Sequence, residues 1–305
     1  MTAAPSLPRD LPDEPIGAKA EAGLRQADWL VNGTWEVRVR DRVVVVTGAS
    51  SGIGAAIFDE LYADGYGVVG VALSEPARGL PEGTQWVRGD VALGEVLDHA
   101  ADAASALGTL TGWVNNAGII ESVPLHLIGD EQVDATLNTN LRGTLFGMRA
   151  ALRAFLRDGV RGSIVNMGSI HGRAGFPGTP AYDASKSGIE SLTRYAAAEY
   201  GHLGIRVNAV APGAIRTEML ARAIVQAPDP GQLEREYGAL HPLGRLGESV
   251  EVARVVRFLL SGDASFVSGA TVAVDGGAAA RVFGFPPHHN VPRAFRAHLD
   301  KEDAG

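Results

Sequence analysis

From Arg42 onward the chain alternates short, continuous apolar runs with longer segments of helical spacing, and this alternation limits the possible folds more than any other feature. The first run, 43–46, enters a glycine-rich turn; residues 53–63 follow with Ile53, Ile57 and Leu61 on one helical face. The same pattern then predicts strands at 67–72, 85–88, 110–115, 163–167 and 206–210, and helices at 93–107, 131–157 and 180–202. A late helix at 250–260 and a strand at 271–274 close the series. Strands that are apolar along their whole length are buried on both faces. Separated by helices, they imply an α/β fold in which helices cover both faces of a doubly wound parallel sheet.

The alternation also divides the chain. Residues 1–41 read as an N-terminal extension, proline-rich at first, with a short helix around 18–30 and a turn at Asn32–Gly33; Trp29 and Trp35 within it are expected to pack against something. Residues 42–280 form a single domain, and residues 281–305 read as a C-terminal tail. Inside the domain, residues 217–247 break the alternation with polar and helical pieces, as a mobile substrate lid does.

Composition removes several classes of function. The chain has no cysteine, which excludes disulfides, thiolate nucleophiles and zinc–thiolate sites. A formal net charge of -8 argues against a nucleic-acid partner or a basic membrane surface, since both need a positive patch. No apolar stretch approaches the length of a membrane span, and the first residues lack the basic start and apolar run of a secretory leader; a cytoplasmic location is expected. Without such a leader, the glycosylation pattern at Asn32-Gly33-Thr34 has no force. His288–His289 reads as part of a solvated tail, so no metal site is expected.

Two constellations carry chemistry. The first is TGASSGIG, Thr47 to Gly54, where the first strand turns into its helix. Glycines at 48, 52 and 54 let the backbone turn sharply and approach a pyrophosphate, whose charge the helix N-terminus favours. Asp90–Val91 and NNAG, Asn115 to Gly118, lie at two further carboxyl ends of strands, where open α/β sheets bind ligands. The second constellation is Ser169 with Tyr182 and Lys186, and Asn140 upstream. Tyr182 and Lys186 stand four apart on a predicted helix and share one face. An ammonium beside a phenol favours the phenolate and lowers its pKa toward the range of an acid–base catalyst, while Ser169 can hydrogen-bond a reacting oxygen. A tyrosine and lysine at this spacing, taken alone, read as a surface pair; the other motifs around them overturn that reading.

Together TGASSGIG, NNAG, Asn140, Ser169, YDASK and Pro212–Gly213 resemble the short-chain dehydrogenase/reductase family, in family order from about Arg42 to Gly277. The resemblance implies a Rossmann-like core and an enzyme that moves a hydride between NAD(P)(H) and a carbonyl or secondary alcohol. It implies Tyr182 as the acid–base group, Lys186 as the ribose-holding and phenol-tuning group, Ser169 as the substrate-orienting group, and Asn140 as support for a water-linked proton relay. It also implies that cofactor is contacted by Gly48, Ser50, Ser51, Gly52, Ile53 and Gly54, by Asp90, Val91, Asn116, Ala117 and Gly118, and by Pro212, Gly213, Ile215 and Thr217, together with Tyr182 and Lys186. Homodimers or homotetramers are the expected assembly, with helices 131–157 and 180–202 as the contact; the apolar faces 150–155 and 252–260 fit either such contacts or ordinary core.

The chain departs from the family at the end of its second strand, where an acidic residue often meets the adenosine ribose. Here Ala72, Leu73 and Ser74 stand instead. Ala72 neither accepts from a 2′-hydroxyl nor repels a 2′-phosphate, Ser74 and Arg78 favour the phosphate, and Glu75 opposes it; the balance is a slight preference for NADP(H) over NAD(H). His171 either lines the substrate pocket or satisfies loop backbone, and Met219, with Leu220, Ile224 and Val225, points to an apolar or ring-bearing small molecule. The competing reading is a catalytically silent nucleotide-binding regulator, which needs the glycine turn but not Ser169, Tyr182 and Lys186. Epimerases and dehydratases of the extended relatives fit the motif order less well, and FAD- or SAM-dependent enzymes leave the Tyr182–Lys186 helix without a purpose.

Overall fold

A computed structural model describes residues 41–76 and 79–280. The extension with Trp29 and Trp35, the tail with His288 and His289, and Arg78 lie outside the described residues. Strand β1 (Arg42–Thr47) leads into helix α1 (Gly52–Ala63), followed by β2 (Gly67–Ala72), β3 (Thr84–Arg88), α2 (Gly94–Leu107) and β4 (Thr109–Asn115). Helix α3 (Asp130–Leu137) continues through a π turn, Asn138–Arg142, into α4 (Gly143–Asp158). Then come β5 (Ser163–Met167), α5 (Pro180–Tyr200), β6 (Arg206–Pro212), the short β7 (Ile215–Arg216), α6 (Glu218–Val225), α7 (Pro230–Ala239), the short β8 (Gly247–Glu248), α8 (Ser249–Leu260) and β9 (Thr271–Val274).

Seven strands form one parallel sheet in the order β3-β2-β1-β4-β5-β6-β9. Successive β1 residues feed opposite cores: Val43 and Val45 pack with Leu97, Ala100, Ala151 and Phe155 from α2 and α4, while Val44 and Val46 pack with Ile57, Leu61, Val252 and Leu259 from α1 and α8. This is why the strands read as unbroken apolar runs: both sides of the pleat are inside. Each such side chain contributes about 1.5–3 kcal/mol over its exposed state. Residues 150–155 and 252–260 therefore present their buried faces to core.

Winding reverses direction between β1 and β4, so a crevice opens at their carboxyl ends. A chain of buried side-chain hydrogen bonds ties the neighbouring strands to α5. Trp113 Nε1 donates to Asn115 Oδ1 at 2.8 Å, Asn115 Nδ2 to Asn166 Oδ1 at 2.8 Å, and Asn166 Nδ2 to Thr193 Oγ1 at 2.9 Å. Buried polar groups that satisfy one another in this way fix a register that apolar packing alone leaves loose. The expected single helix at 131–157 is instead two α segments joined by the π turn, a device that re-aims side chains within a helix.

Candidate active site

At the β1–α1 turn, Gly48 has φ +66 and Gly52 φ +55, conformations that favour glycine. A Cβ on Gly48 would sit 2.8 Å from Ala117 Cα, and one on Gly54 would overlap the carbonyl oxygen of Gly48. Thr47 Oγ1 accepts from the backbone N–H groups of Asn116 (2.9 Å) and Ala117 (3.0 Å), while Asn116 Nδ2 donates to the Thr47 carbonyl at 2.9 Å. Thr47 thus pins the NNAG segment to the glycine turn, a role that its place as first letter of the motif did not reveal. Helix α1 begins at Ser51 without a side-chain cap and without an acidic residue in its first turn. Its leading N–H groups have no acid of their own turn to meet, the Glu218 carboxylate lies 3.5 Å from where a Cβ on Gly52 would stand, and a dinucleotide pyrophosphate suits such a helix start.

The remaining positions expected to contact cofactor surround this turn. Asp90 Oδ1 caps the turn after β3 by accepting from Ala92 N at 2.9 Å, and buried Val91 packs under Gly143. A Cβ on Gly52 would stand 3.2 Å from Thr217 Cγ2, so the root of the 217–247 segment lies over the glycine turn. Thr217 Oγ1 caps α6 through Leu220 N at 3.3 Å, and Ile215 is buried where β7 pairs with Gly247 of β8. Gly213 N donates to the Val274 carbonyl at 3.1 Å. His241, which no sequence motif marks, holds this loop: its Nε2 accepts from Ala214 N at 3.2 Å while Nδ1 meets the Asp275 carbonyl. A cavity of about 500 Å³ opens beside this loop, lined in part by Ile215, His241, Pro242 and Arg245, on the side of the 217–247 segment rather than at Tyr182. Ala72 is buried, Leu73 and Ser74 are exposed, and these positions stand apart at the outer end of the site. There Arg88 donates from Nε to the Leu73 carbonyl at 3.0 Å and lies 3.8 Å from Glu75.

The acid–base set converges on the carboxyl end of β5. Lys186 is buried and donates from Nζ to the Met167 carbonyl at 2.8 Å; its ammonium lies 5.3 Å from the Tyr182 ring centroid. Burial lowers the Lys186 pKa to about 8. Burial pushes the Tyr182 phenol up, the hydrogen bond with Ser169 opposes this, and Asp183 adds to the rise. The lowering expected from Lys186 is supplied here by Ser169 instead, and desolvation outweighs it. Asn140 is fully buried, and its amide is consumed: Nδ2 donates to the Ile119 carbonyl (2.9 Å) and Ser185 Oγ (3.1 Å), while Oδ1 accepts from Ile119 N (2.8 Å). Its side chain positions the segment after NNAG, and its backbone carbonyl, in the π turn, accepts from Thr144 Oγ1 at 2.7 Å. A Cβ on Gly118 would stand 3.2 Å from Asn140 Oδ1 and 3.7 Å from Lys186 Nζ, so these three expected positions meet.

His171 bonds a side chain rather than loop backbone: Nδ1 lies 2.7 Å from Asp183 Oδ1. Asp183, the second letter of YDASK, was not singled out from sequence. Nor was Glu190, buried beside Arg173, whose Nε donates to it at 3.0 Å and fixes the loop after β5 to α5. Met219 stands exposed on α6. Among the described residues no group of three or more His, Cys, Asp or Glu is placed to hold a metal ion, and no helix is long and apolar enough to cross a membrane.

A glycine-lined anion cradle, joined through Gly118 to a phenol, hydroxyl and buried ammonium, defines a dinucleotide-dependent oxidoreductase. Comparison with known proteins agrees. Residues 48–279 match the family model described as Enoyl-(Acyl carrier protein) reductase. Among curated relatives, 2,5-dichloro-2,5-cyclohexadiene-1,4-diol dehydrogenase from Sphingobium indicum is 38% identical over 243 residues, covering 77% of this chain and 96% of that protein. Levodione reductase from Leifsonia aquatica is 36% identical over 259 residues, covering 80% and 96%; a solved structure of levodione reductase superposes with a TM-score of 0.74 at 34% identity, covering 79% and 99%. The solved structure "ElxO with NADP Bound" gives a TM-score of 0.73 at 30% identity, covering 79% and 100%. The chain belongs to the short-chain dehydrogenase/reductase family. It is an NAD(P)(H)-dependent oxidoreductase that transfers a hydride between nicotinamide and a carbonyl or secondary alcohol.

Proposed function

We propose that Tyr182 exchanges the proton with the substrate oxygen, that Ser169 donates a hydrogen bond to that oxygen, and that Lys186 holds the nicotinamide ribose and favours the ionised phenol. The nicotinamide supplies or accepts the hydride. The observation that carries this reading is the meeting of Tyr182, Ser169 and the buried Lys186 at the end of β5, with Lys186 Nζ 5.3 Å from the phenol ring centroid and anchored on the Met167 carbonyl, because it gathers an acid, its partner and a tunable charge at one strand end. Gly48, Ser50, Ser51, Gly52, Ile53 and Gly54 cradle the pyrophosphate, Asp90 and Val91 border the adenine, and Asn116, Ala117, Gly118, Pro212, Gly213, Ile215 and Thr217 line the path to the nicotinamide. Asn140 acts by holding the backbone of that path in place.

The substrate we propose is small and apolar or ring-bearing. Met219 and Val225 leave apolar surface exposed on α6, and the Sphingobium relative is named for a cyclohexadiene-diol. Exposed Leu145 on α4 and Tyr195 on α5 favour a homodimer or homotetramer through these helices, and a cytoplasmic location completes the reading.

For the cofactor we propose a slight preference for NADP(H). Ala72 removes the carboxylate that would repel a 2′-phosphate, and Arg88 brings a guanidinium to the end of β2 while drawing Glu75 toward itself. Comparing kcat/KM with NADPH and NADH tests this. Ala72→Asp should shift the ratio toward NADH by roughly tenfold, the size of one charge-assisted hydrogen bond gained and one repulsion added. An unchanged ratio would show that position 72 does not face the ribose.

A further inference from the structure

We infer that His171 and Asp183 form a fixed hydrogen-bond acceptor beside the reacting carbon, and that the substrate carries a donor there, a hydroxyl adjacent to the carbonyl or alcohol that reacts. The inference rests on the proposal that Tyr182 and Ser169 engage the substrate oxygen.

The imidazole is held by two aromatic rings and a carboxylate. It stacks on Phe176 with ring centroids 3.7 Å apart and an interplanar angle of 12°, and it meets the Tyr182 ring edge-on at 5.1 Å and 90°. Its own backbone N–H donates to Ser169 Oγ at 3.2 Å, so the ring is fixed relative to both groups that would hold the reacting oxygen. Asp183 decides its proton. Oδ1 accepts from Thr179 Oγ1 at 2.8 Å and faces His171 Nδ1 at 2.7 Å, while Oδ2 accepts from Phe176 N at 2.9 Å. A carboxylate has no hydrogen to give, so Nδ1 carries the proton and donates.

Burial lowers the imidazole's pKa, and although the hydrogen bond and charge of Asp183 oppose this, Lys186 adds to the lowering. A neutral ring protonated on Nδ1 leaves Nε2 as a bare lone pair. Among the described residues nothing hydrogen-bonds to Nε2, although its ring is largely buried. An acceptor fixed in position and left unpaired discriminates strongly. It welcomes a hydroxyl or N–H, gains nothing from a methylene, and opposes a second carbonyl or a carboxylate, whose lone pairs face its own.

Asp183 is thus a positioning residue, acting on substrate through His171. A purely structural dyad would hold the 171–179 loop equally well, but it would not make the acceptor's sign depend on the carboxylate. In Asp183→Asn, Phe176 N–H keeps the amide oxygen at the Oδ2 place, so the NH₂ takes the Oδ1 place and faces Nδ1. The amide then donates to Nδ1, the ring proton moves to Nε2, and the site becomes a donor.

The test uses three matched ketones with the full-length enzyme: 2-hydroxycyclohexanone, cyclohexanone and 2-methoxycyclohexanone, whose ether oxygen accepts but cannot donate. The wild type should favour the hydroxyketone over both others by about tenfold or more in kcat/KM. Asp183→Asn should raise the methoxyketone to the level of the hydroxyketone and leave both ahead of cyclohexanone, because either oxygen can accept from the Nε2–H then present. His171→Phe, which keeps the stacked ring and removes both nitrogens, should bring the three within about threefold of one another, and this variant decides between the outcomes if Asp183→Asn does not fold. Wild-type turnover without discrimination, or a preference for the hydroxyketone unchanged in both variants, would overturn the inference and leave the assignment of Tyr182 intact. Failure of the wild type to turn over any of the three would overturn both.

Discussion

The two ends of the crevice are built from different materials. Around β1 and β4 the proposed cofactor end is made of backbone: Gly48 at positive φ, Gly54 in contact with the Gly48 carbonyl, and N–H groups gathered on Thr47 Oγ1. Around β5 and the following loop the proposed substrate end is made of side chains: Ser169, His171, Asp183, Tyr182 and Lys186. Glycine marks the difference. A Cβ on Gly54 would overlap backbone, whereas one on Gly175, in the loop beside His171, would meet nothing within 4 Å. A cofactor whose shape does not vary can be held by fixed backbone, while a substrate that differs between relatives is recognised by groups that can be exchanged without rebuilding the sheet.

The strongest way to break this comparison is to add one methyl group at each end. Gly54→Ala should raise the Kd for NADPH by roughly ten- to a hundredfold, because the obstructing atom is backbone and the turn must open. Gly175→Ala should leave both Kd and kcat within about twofold, since it neither occupies filled space nor needs a positive φ. Fluorescence titration of the cofactor with both variants checks the contrast; equal effects would show that the cradle tolerates a side chain.

A smaller effect sharpens the electrostatic half of the comparison. Lys186 gives up its proton more readily in the folded protein, at about 8, than at its ordinary 10.5. Between those values the unfolded chain holds more protons, so this group's contribution to stability rises with pH. In cofactor-free protein, the stability of wild type relative to Lys186→Met should climb from about pH 8 to pH 10.5 and level off outside that window. Urea unfolding across the range measures it; a flat difference would mean that the ammonium is well solvated.

Much of the cofactor end was legible in the sequence, because glycine spacing after an apolar strand states a backbone requirement directly. Even there the hub was missed: Thr47 opens the motif, yet nothing in the letter T tells that its hydroxyl gathers two N–H groups 69 and 70 residues away. The doubly wound sheet was legible too, since strands buried on both faces leave no polar alternation to misread. The substrate end was legible only in its acid–base set. Asp183 and Glu190 look in sequence like the solvated acids of any helix, and only the return of the 170–179 loop over α5 reveals what they hold. The π turn at Asn138–Arg142 left no mark on the helical periodicity of 131–157. Arg88 reads as the polar end of a strand, until the pairing of β2 with β3 brings it to Leu73.

The central claim is that the two ends are separable, one binding by backbone and the other reacting by side chain. Tyr182→Phe tests it most directly, by measuring the NADPH Kd and single-turnover reduction on the same preparation. The claim predicts a Kd within about twofold of wild type and a hydride-transfer rate lower by roughly 10²–10⁴, the usual worth of a general acid. A near-wild-type rate, or a loss of cofactor affinity as large as that of Gly54→Ala, would contradict it.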